Sequence, residues 1–156
     1  MKVTDIMRRK VLSVDSASDG YEVGKLILED QGGYVLVENN GTVIGIVTCR
    51  HFVEEMLKWK AAPSDMRVRH IMSRPVHMIN SEATAEEAAA LMSSKKIRRL
   101  PVLKEEKIIG IVLAGDIAKV VSSKNPEELV ARRKARALSH LSNRPNISLW
   151  INYPQE

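Results

Sequence analysis

A chain of 156 residues with 44% hydrophobic content carries apolar material for one core or two small ones, and no stretch approaches the roughly 18 consecutive apolar residues of a membrane-crossing helix. The formal charge of +5 and pI near 9.4 admit anionic partners, while aromatics at only 4%, not interleaved with basic residues, exclude a stacking platform for single-stranded nucleic acid. The single cysteine, Cys49, excludes an internal disulfide and a thiolate metal cluster, and the amino terminus lacks a signal peptide's apolar run, so a cytoplasmic protein is expected.

Val3 to Met7 opens the chain as a short apolar turn, and Val11, Leu12 and Val14 read as a brief strand. Asp19 caps the helix that follows, whose buried stripe is Val23, Leu26 and Ile27 and which stops at Gly32-Gly33. Tyr34 to Val37 and Val43 to Thr48 form a hairpin around Asn39-Asn40-Gly41, residue types that tolerate positive φ. Phe52, Val53, Met56 and Leu57 give the next helix an apolar face, which ends near Trp59 and Lys60.

After Ala61-Ala62-Pro63-Ser64 the pattern starts again, with Val68, Ile71 and Met72 as the turn and Val76 to Ile79 as the strand. Thr84 with Glu87 has the spacing of a capping box, and Ala88, Leu91 and Met92 form the inner face of its helix. Leu100 to Leu103 and Ile108 to Leu113 pair across the charged turn Lys104-Glu105-Glu106-Lys107, and Ile117, Val120 and Val121 carry a further helix. Asn125-Pro126-Glu127-Glu128 then starts a last helix with a cap, a first-position proline and acids suited to the positive dipole end. Leu129, Val130, Leu138 and Leu141 line one side of it, and Arg132, Arg133, Lys134 and Arg136 crowd the other. The segment Ile147 to Tyr153, with Trp150, is apolar enough to be expected to dock.

Gly45-Ile46-Val47-Thr48-Cys49-Arg50-His51-Phe52 and Gly110-Ile111-Val112-Leu113-Ala114-Gly115-Asp116-Ile117 share one form, strand into helix, at a separation of 65 residues. The same offset matches Val3 to Val68, Ile6 to Ile71, Met7 to Met72, Arg9 to Arg74, Val11 to Val76, Leu26 to Leu91 and Val37 to Val102 without a gap. The chain is an internal duplication of a strand, helix, strand, strand, helix unit, an α/β chain of the α+β kind. The expected organisation is a first repeat over residues 1–60, a linker over 61–67, a second repeat over 68–123, and a basic helix with an apolar tail over 124–156. Units this small are at the lower limit for burying their own faces, so the two are expected to pack about a pseudo-two-fold axis.

Asp5-Ile6-Met7 and His70-Ile71-Met72 before the first strand, Arg98-Arg99-Leu100-Pro101-Val102 at the second, and Gly-Ile-Val-x-x-x-Asp at the third together resemble the CBS domain in its tandem form, the Bateman module, over about residues 3 to 122. The resemblance implies a non-catalytic regulatory module, a homodimer, and binding of AMP, ADP or ATP in clefts between repeats through a Gly-x-x-Thr/Ser-x-x-Asp pattern. A carboxylate accepts from both ribose hydroxyls, and a hydroxyl serves ribose or phosphate. Neither repeat has the whole pattern: the first keeps Thr48 but has His51 in place of the acid, and the second keeps Asp116 but has Leu113 in place of the hydroxyl.

By that resemblance the preferred nucleotide cleft holds Asp116 with Lys10, Val11, Leu12, Gly33 and Ile111, and Arg98 and Arg99 offer guanidinium forks to phosphate. The second cleft would hold Tyr34, Thr48, His51, Pro75 and Val76. Plainer readings stand beside these: Asp116 as a helix cap, Arg98 and Arg99 as a solvated pair, Thr48 as a strand end. His51, His70, His77 and His140 have no metal-site spacing, and no phosphate loop, catalytic triad or metal cluster is legible, so neither an enzyme, a catalytic cofactor nor a metal is expected. Two rival functions remain: a dimeric scaffold binding nucleic acid or a protein target through the basic extension, and a module for S-adenosyl compounds, whose sulfonium would sit poorly beside Arg98 and Arg99.

Overall fold

The computed structural model describes residues 1–29, 32–123 and 125–141. Along the chain the elements are α1 (Val3–Ile6), β1 (Ser13–Asp15), α2 (Gly20–Glu29), β2 (Tyr34–Asn39), β3 (Thr42–Thr48), α3 (Cys49–Trp59), a 3-10 turn (Pro63–Asp65), α4 (Val68–Ile71), β4 (Ile79–Asn80), α5 (Ala85–Lys95), β5 (Arg99–Lys104), β6 (Lys107–Leu113), α6 (Ala114–Val121) and α7 (Pro126–Leu141). Strand, helix, strand, strand, helix occurs twice, each time after a single helical turn, as the duplication predicts. The expected docking of Ile147 to Tyr153 lies outside the described residues.

The chain folds as two compact units, a continuous one over Val11–Val76 and a split one in which Met1–Lys10 joins the residues from His77 onward. In the continuous unit β1 runs parallel to β2 and β2 antiparallel to β3. The apolar faces of this sheet and of α2 close on a core of Val23, Ile27, Val35, Val37, Val47, Met66, Val68 and Ile71. In the split unit β4, β5 and β6 repeat that topology, and the core gathers Val3, Ile6, Ala88, Met92, Leu100, Val102, Val112, Ile117 and Val120.

Local chemistry explains the element boundaries. The Glu22 N–H donates to Asp19 Oδ1 at 2.9 Å and the Asp19 N–H to Glu22 Oε2 at 3.3 Å, a reciprocal cap at the start of α2. Thr84 and Glu87 do the same for α5, at 3.2 and 2.7 Å. The first hairpin turns through Asn40 and Gly41 at φ 50° and 78°, the second through Glu105 and Glu106 at φ 48° and 63°. Both need the left-handed region that suits the twist of adjacent strands.

Three expectations of burial fail. Val53 is 52% exposed, Leu57 74% and Val121 72%. In α3 it is Phe52 and Met56 that pack against the core. Val53 and Leu57 follow them by one position, about 100° further round the helix, and so face outward. The strand expected from Val76 to Ile79 is confined to Ile79–Asn80, because only Ile79 and Asn80 find ladder partners, Val102 and Leu103.

Each opening turn is seated by a glycine. The Arg8 N–H donates to the Ile111 carbonyl at 2.8 Å and the Ile111 N–H returns a bond to the Arg8 carbonyl at 2.9 Å. In the continuous unit Ser73 and Ile46 exchange the same pair of bonds, at 2.9 and 3.1 Å. A side chain at Gly110 would collide with Met7 and the Arg8 carbonyl, and one at Gly45 with Met72. The Gly-Ile-Val motif and the Ile-Met motif are therefore two halves of one close contact, used once in each unit.

Candidate functional site

The second Gly-Ile-Val segment positions a single acid. β6 passes into α6 at Leu113, whose side chain makes no cap bond, and Asp116 occupies the third position of the first turn, where the helix dipole favours a negative charge. Asp116 is 1% exposed, so its charge needs a partner. One partner is Arg8, held in register by its backbone bonds to Ile111: Nε donates to Oδ2 at 2.8 Å, and Nη2 lies 3.4 Å from Oδ1. The two side chains differ in exposure, 35% for Arg8 against 2% for Asp116, so the guanidinium caps the acid from the solvent side.

Arg98 and Arg99 share this end of the split unit. The Arg98 carbonyl accepts from the Ala114 N–H at 3.0 Å, fixing the start of β5 beside the start of α6, and Arg99 pairs with Leu113 across the ladder. Arg98 is exposed and Arg99 half-buried. Ile111 has its side chain fully buried and its N–H and carbonyl bonded to Arg8. Lys10 is exposed at the end of the opening segment.

The equivalent region of the continuous unit has different chemistry. Thr48 is the N-cap of α3, its hydroxyl accepting from the His51 N–H at 3.4 Å, while the Cys49 N–H donates to the Gly33 carbonyl at 3.2 Å. Gly33 has φ 60°, and a Cβ on it would lie 3.3 Å from Cys49 Sγ, so the close turn is specific to glycine. Tyr34 is buried and pairs with Thr48 in the ladder. His51 stands where Asp116 stands in the other unit, half-buried, with Nδ1 lacking a hydrogen-bond partner among the described residues. Ser73, bridged to Ile46, takes the position that Arg8 holds in the split unit.

Of the preferred site residues, Lys10, Arg98, Arg99, Ile111 and Asp116 thus belong to the split unit, and Val11, Leu12 and Gly33 to the continuous one, which also holds all of Tyr34, Thr48, His51, Pro75 and Val76. Val11 and Leu12 are half-buried, and the Leu12 carbonyl accepts from the Leu36 N–H at 2.9 Å. Pro75 is exposed and Val76 half-buried. Sequence reasoning missed Arg8. A basic residue directly after the Ile-Met motif was the available signal, but its partner lies 108 positions away, and only the strand register reveals the pair.

The basic extension is partly neutralised. Lys134 donates to Asp5 at 2.6 Å, and Arg132 to Glu128 at 2.7 Å. The Lys134 ammonium holds the Asp5 carboxyl below its ordinary value, with help from the Lys2 N–H and against a smaller opposing effect of burial. Leu129 and Val130 pack against the split unit's core, while the side chains of Arg133, Arg136, Leu138 and Leu141 lie outside the described residues. Among the described residues no three histidine, cysteine or carboxylate side chains gather to hold a metal, and no helix is long and apolar enough to cross a membrane.

Comparison with known proteins agrees with this architecture. The CBS domain family matches at residues 3–58 and 68–123. An uncharacterized protein of Methanopyrus kandleri, MK0525, is 33% identical over 122 residues, which cover 77% of this chain and 62% of that protein. Among solved structures, a putative signal-transduction protein with CBS domains from Burkholderia ambifaria superposes with a TM-score of 0.69 at 31% identity, covering 74% of this chain and 85% of its own. The CBS domain pair of protein MJ0100, solved in complex with 5′-methylthioadenosine and S-adenosyl-L-methionine, superposes with a TM-score of 0.70 over 78% of this chain and 95% of its own; at 21% identity the likeness is of fold. With two matched copies, two sheets of one topology and the same seated opening turn in each, this chain belongs to the CBS domain family and carries the domain as a pair.

Proposed function

We propose that the chain is a non-catalytic regulatory module that binds an adenine nucleotide, AMP, ADP or ATP, with Asp116 receiving the ribose hydroxyls and Arg98 and Arg99 facing the phosphates. The observation that carries the reading is a buried carboxylate in the first turn of α6, beside a strand start that bears two arginines. Such an acid accepts two hydrogen bonds from a vicinal diol, and guanidinium groups fork to phosphate oxygens. The region around Thr48 and His51 is the weaker candidate for a second ligand, because the Thr48 hydroxyl already caps α3 and the first turn of α3 carries no acid. Ligand would act by binding one arrangement of the module better than another, and a protein target would read the difference.

Self-association is part of the proposal. Tyr21 at 59% and Leu28 at 87% exposure on α2, with Val53, Leu57 and Trp59 on α3, are apolar surface that a second copy would cover.

A thermal-shift series with AMP, ADP and ATP, with and without magnesium, tests the ligand class. Nucleotide should raise the melting temperature of the wild type and not that of Asp116→Asn. No shift at millimolar nucleotide would remove the reading. S-adenosyl-L-methionine belongs in the same series, since MJ0100 was solved with it. Nucleic-acid binding by α7 is the less favoured reading, because Lys134 and Arg132 already face carboxylates.

A further inference from the structure

We propose that Arg8 is the residue that selects the ligand's charge: its guanidinium covers Asp116 in the unliganded protein and transfers to a 5′-phosphate when a ribose takes the acid. The inference rests on the ribose reading of Asp116. The two groups meet through one short bond, 2.8 Å from Nε to Oδ2, and one long approach of 3.4 Å, so the carboxylate is covered without being fully forked. A carboxylate has acceptor sites to spare, so what Arg8 controls is access: with the Asp116 side chain 2% exposed behind the guanidinium, a vicinal diol reaches both oxygens only when Arg8 moves aside. The Asp116 side chain is 2% exposed and cannot turn to water, whereas Arg8 at 35% has room to swing about a backbone that its bonds to Ile111 hold fixed.

The charge balance then decides which ligands enter. A diol supplies two neutral donors to the buried carboxylate and leaves Arg8 with one anion fewer. A phosphate on the same ribose returns an anion to the guanidinium, so both charged groups finish paired. A neutral nucleoside gives Arg8 nothing in exchange, and the sulfonium of an S-adenosyl compound adds a cation beside it. The duplication supplies an internal contrast, because the corresponding positions of the continuous unit are Ser73 and His51, a hydroxyl and an imidazole in place of the guanidinium and the carboxylate.

Isothermal titration of the full chain with AMP, adenosine and S-adenosyl-L-methionine, on wild type, Arg8→Gln, Arg8→Lys and Asp116→Asn, tests this. Wild type should prefer AMP to adenosine by about tenfold or more, the size of one charge-assisted hydrogen bond. In Arg8→Gln the preference should fall by about fivefold or more, to the share that Arg98 and Arg99 supply, with adenosine binding improved because the acid is uncovered, and Arg8→Lys should keep a preference for AMP between the two. Melting curves of the unliganded variants establish that each is folded; should Arg8→Gln not fold, the Arg8→Lys preference alone decides, and an unchanged one overturns the proposal. An Asp116-dependent affinity with the same AMP-to-adenosine ratio in Arg8→Gln as in wild type overturns the role of Arg8 and leaves the ribose reading intact. An AMP affinity that Asp116→Asn leaves unchanged, or no binding of any of the three compounds, overturns both.

Discussion

A methyl group at Gly110 would lie 2.7 Å from the Arg8 carbonyl oxygen and 2.6 Å from the Met7 sulfur, whereas one at Gly115 would meet nothing within 4 Å. The methionine tail can move; the carbonyl is fixed by the Ile111 N–H and cannot without breaking the bridge. Gly110→Ala should therefore cost about 1–3 kcal/mol in urea unfolding. Gly115→Ala, in the exposed first turn of α6, should be neutral or stabilising by up to about 1 kcal/mol. Equal effects would mean that the opening segment is not seated on β6. Gly110 was legible as the duplicate of Gly45, and Gly115, whose counterpart is Arg50, was not; what the duplicated glycine does was not legible either. A motif records that a position is glycine, and only the strand crossing says what stands over it. The same limit applies to Asp116: the sequence marks the acid and is silent on Arg8.

At the scale of elements, the capping residues and the asparagine-glycine turn were readable because their chemistry is local. Asp19 with Glu22 and Thr84 with Glu87 each satisfy amides within one turn. The exposed face of α3 was not readable, since Phe52-Val53 and Met56-Leu57 offer two adjacent stripes and periodicity cannot say which one meets the core. α7 lies against α1 through Lys134 and Asp5, and this tie should depend on pH. Asp5 is held below 3.8 in the folded state, so its contribution is present above that value and is lost as pH falls through the lower folded one. Both side chains are partly exposed, which keeps the effect to at most about 1 kcal/mol. Urea midpoints of wild type and Asp5→Asn should differ slightly at neutral pH and converge below the ordinary carboxylate range. A gap that persists in acid would assign Asp5 another role.

For the molecule as a whole, the constant offset of 65 residues was enough to foresee two sheets of one topology. It did not reveal that residues 1–10 fold with the second half, because a short apolar turn fits either sheet equally well on pattern alone. The halves also differ on their surfaces. Tyr21, Leu28, Val53 and Leu57 correspond by that offset to Glu86, Ser93, Ala118 and Ser122, so most of the exposed large apolar side chains belong to the first repeat, with Val121 in the second. A closed dimer repeats one patch on both copies, which this asymmetry fits if first repeats face each other. Leu57→Asp with Val53→Asp should convert a dimer to a monomer in light scattering, and an unchanged mass would place the interface elsewhere.

The grip of Asp116 on a ribose is tested most directly by comparing AMP with 2′-deoxy-AMP in equilibrium titrations of wild type and Asp116→Asn. Removing the 2′-hydroxyl should weaken binding to the wild type by about tenfold, the worth of one hydrogen bond to a charged group, and change little in the variant. Equal losses in both proteins, or no loss in either, would contradict the account.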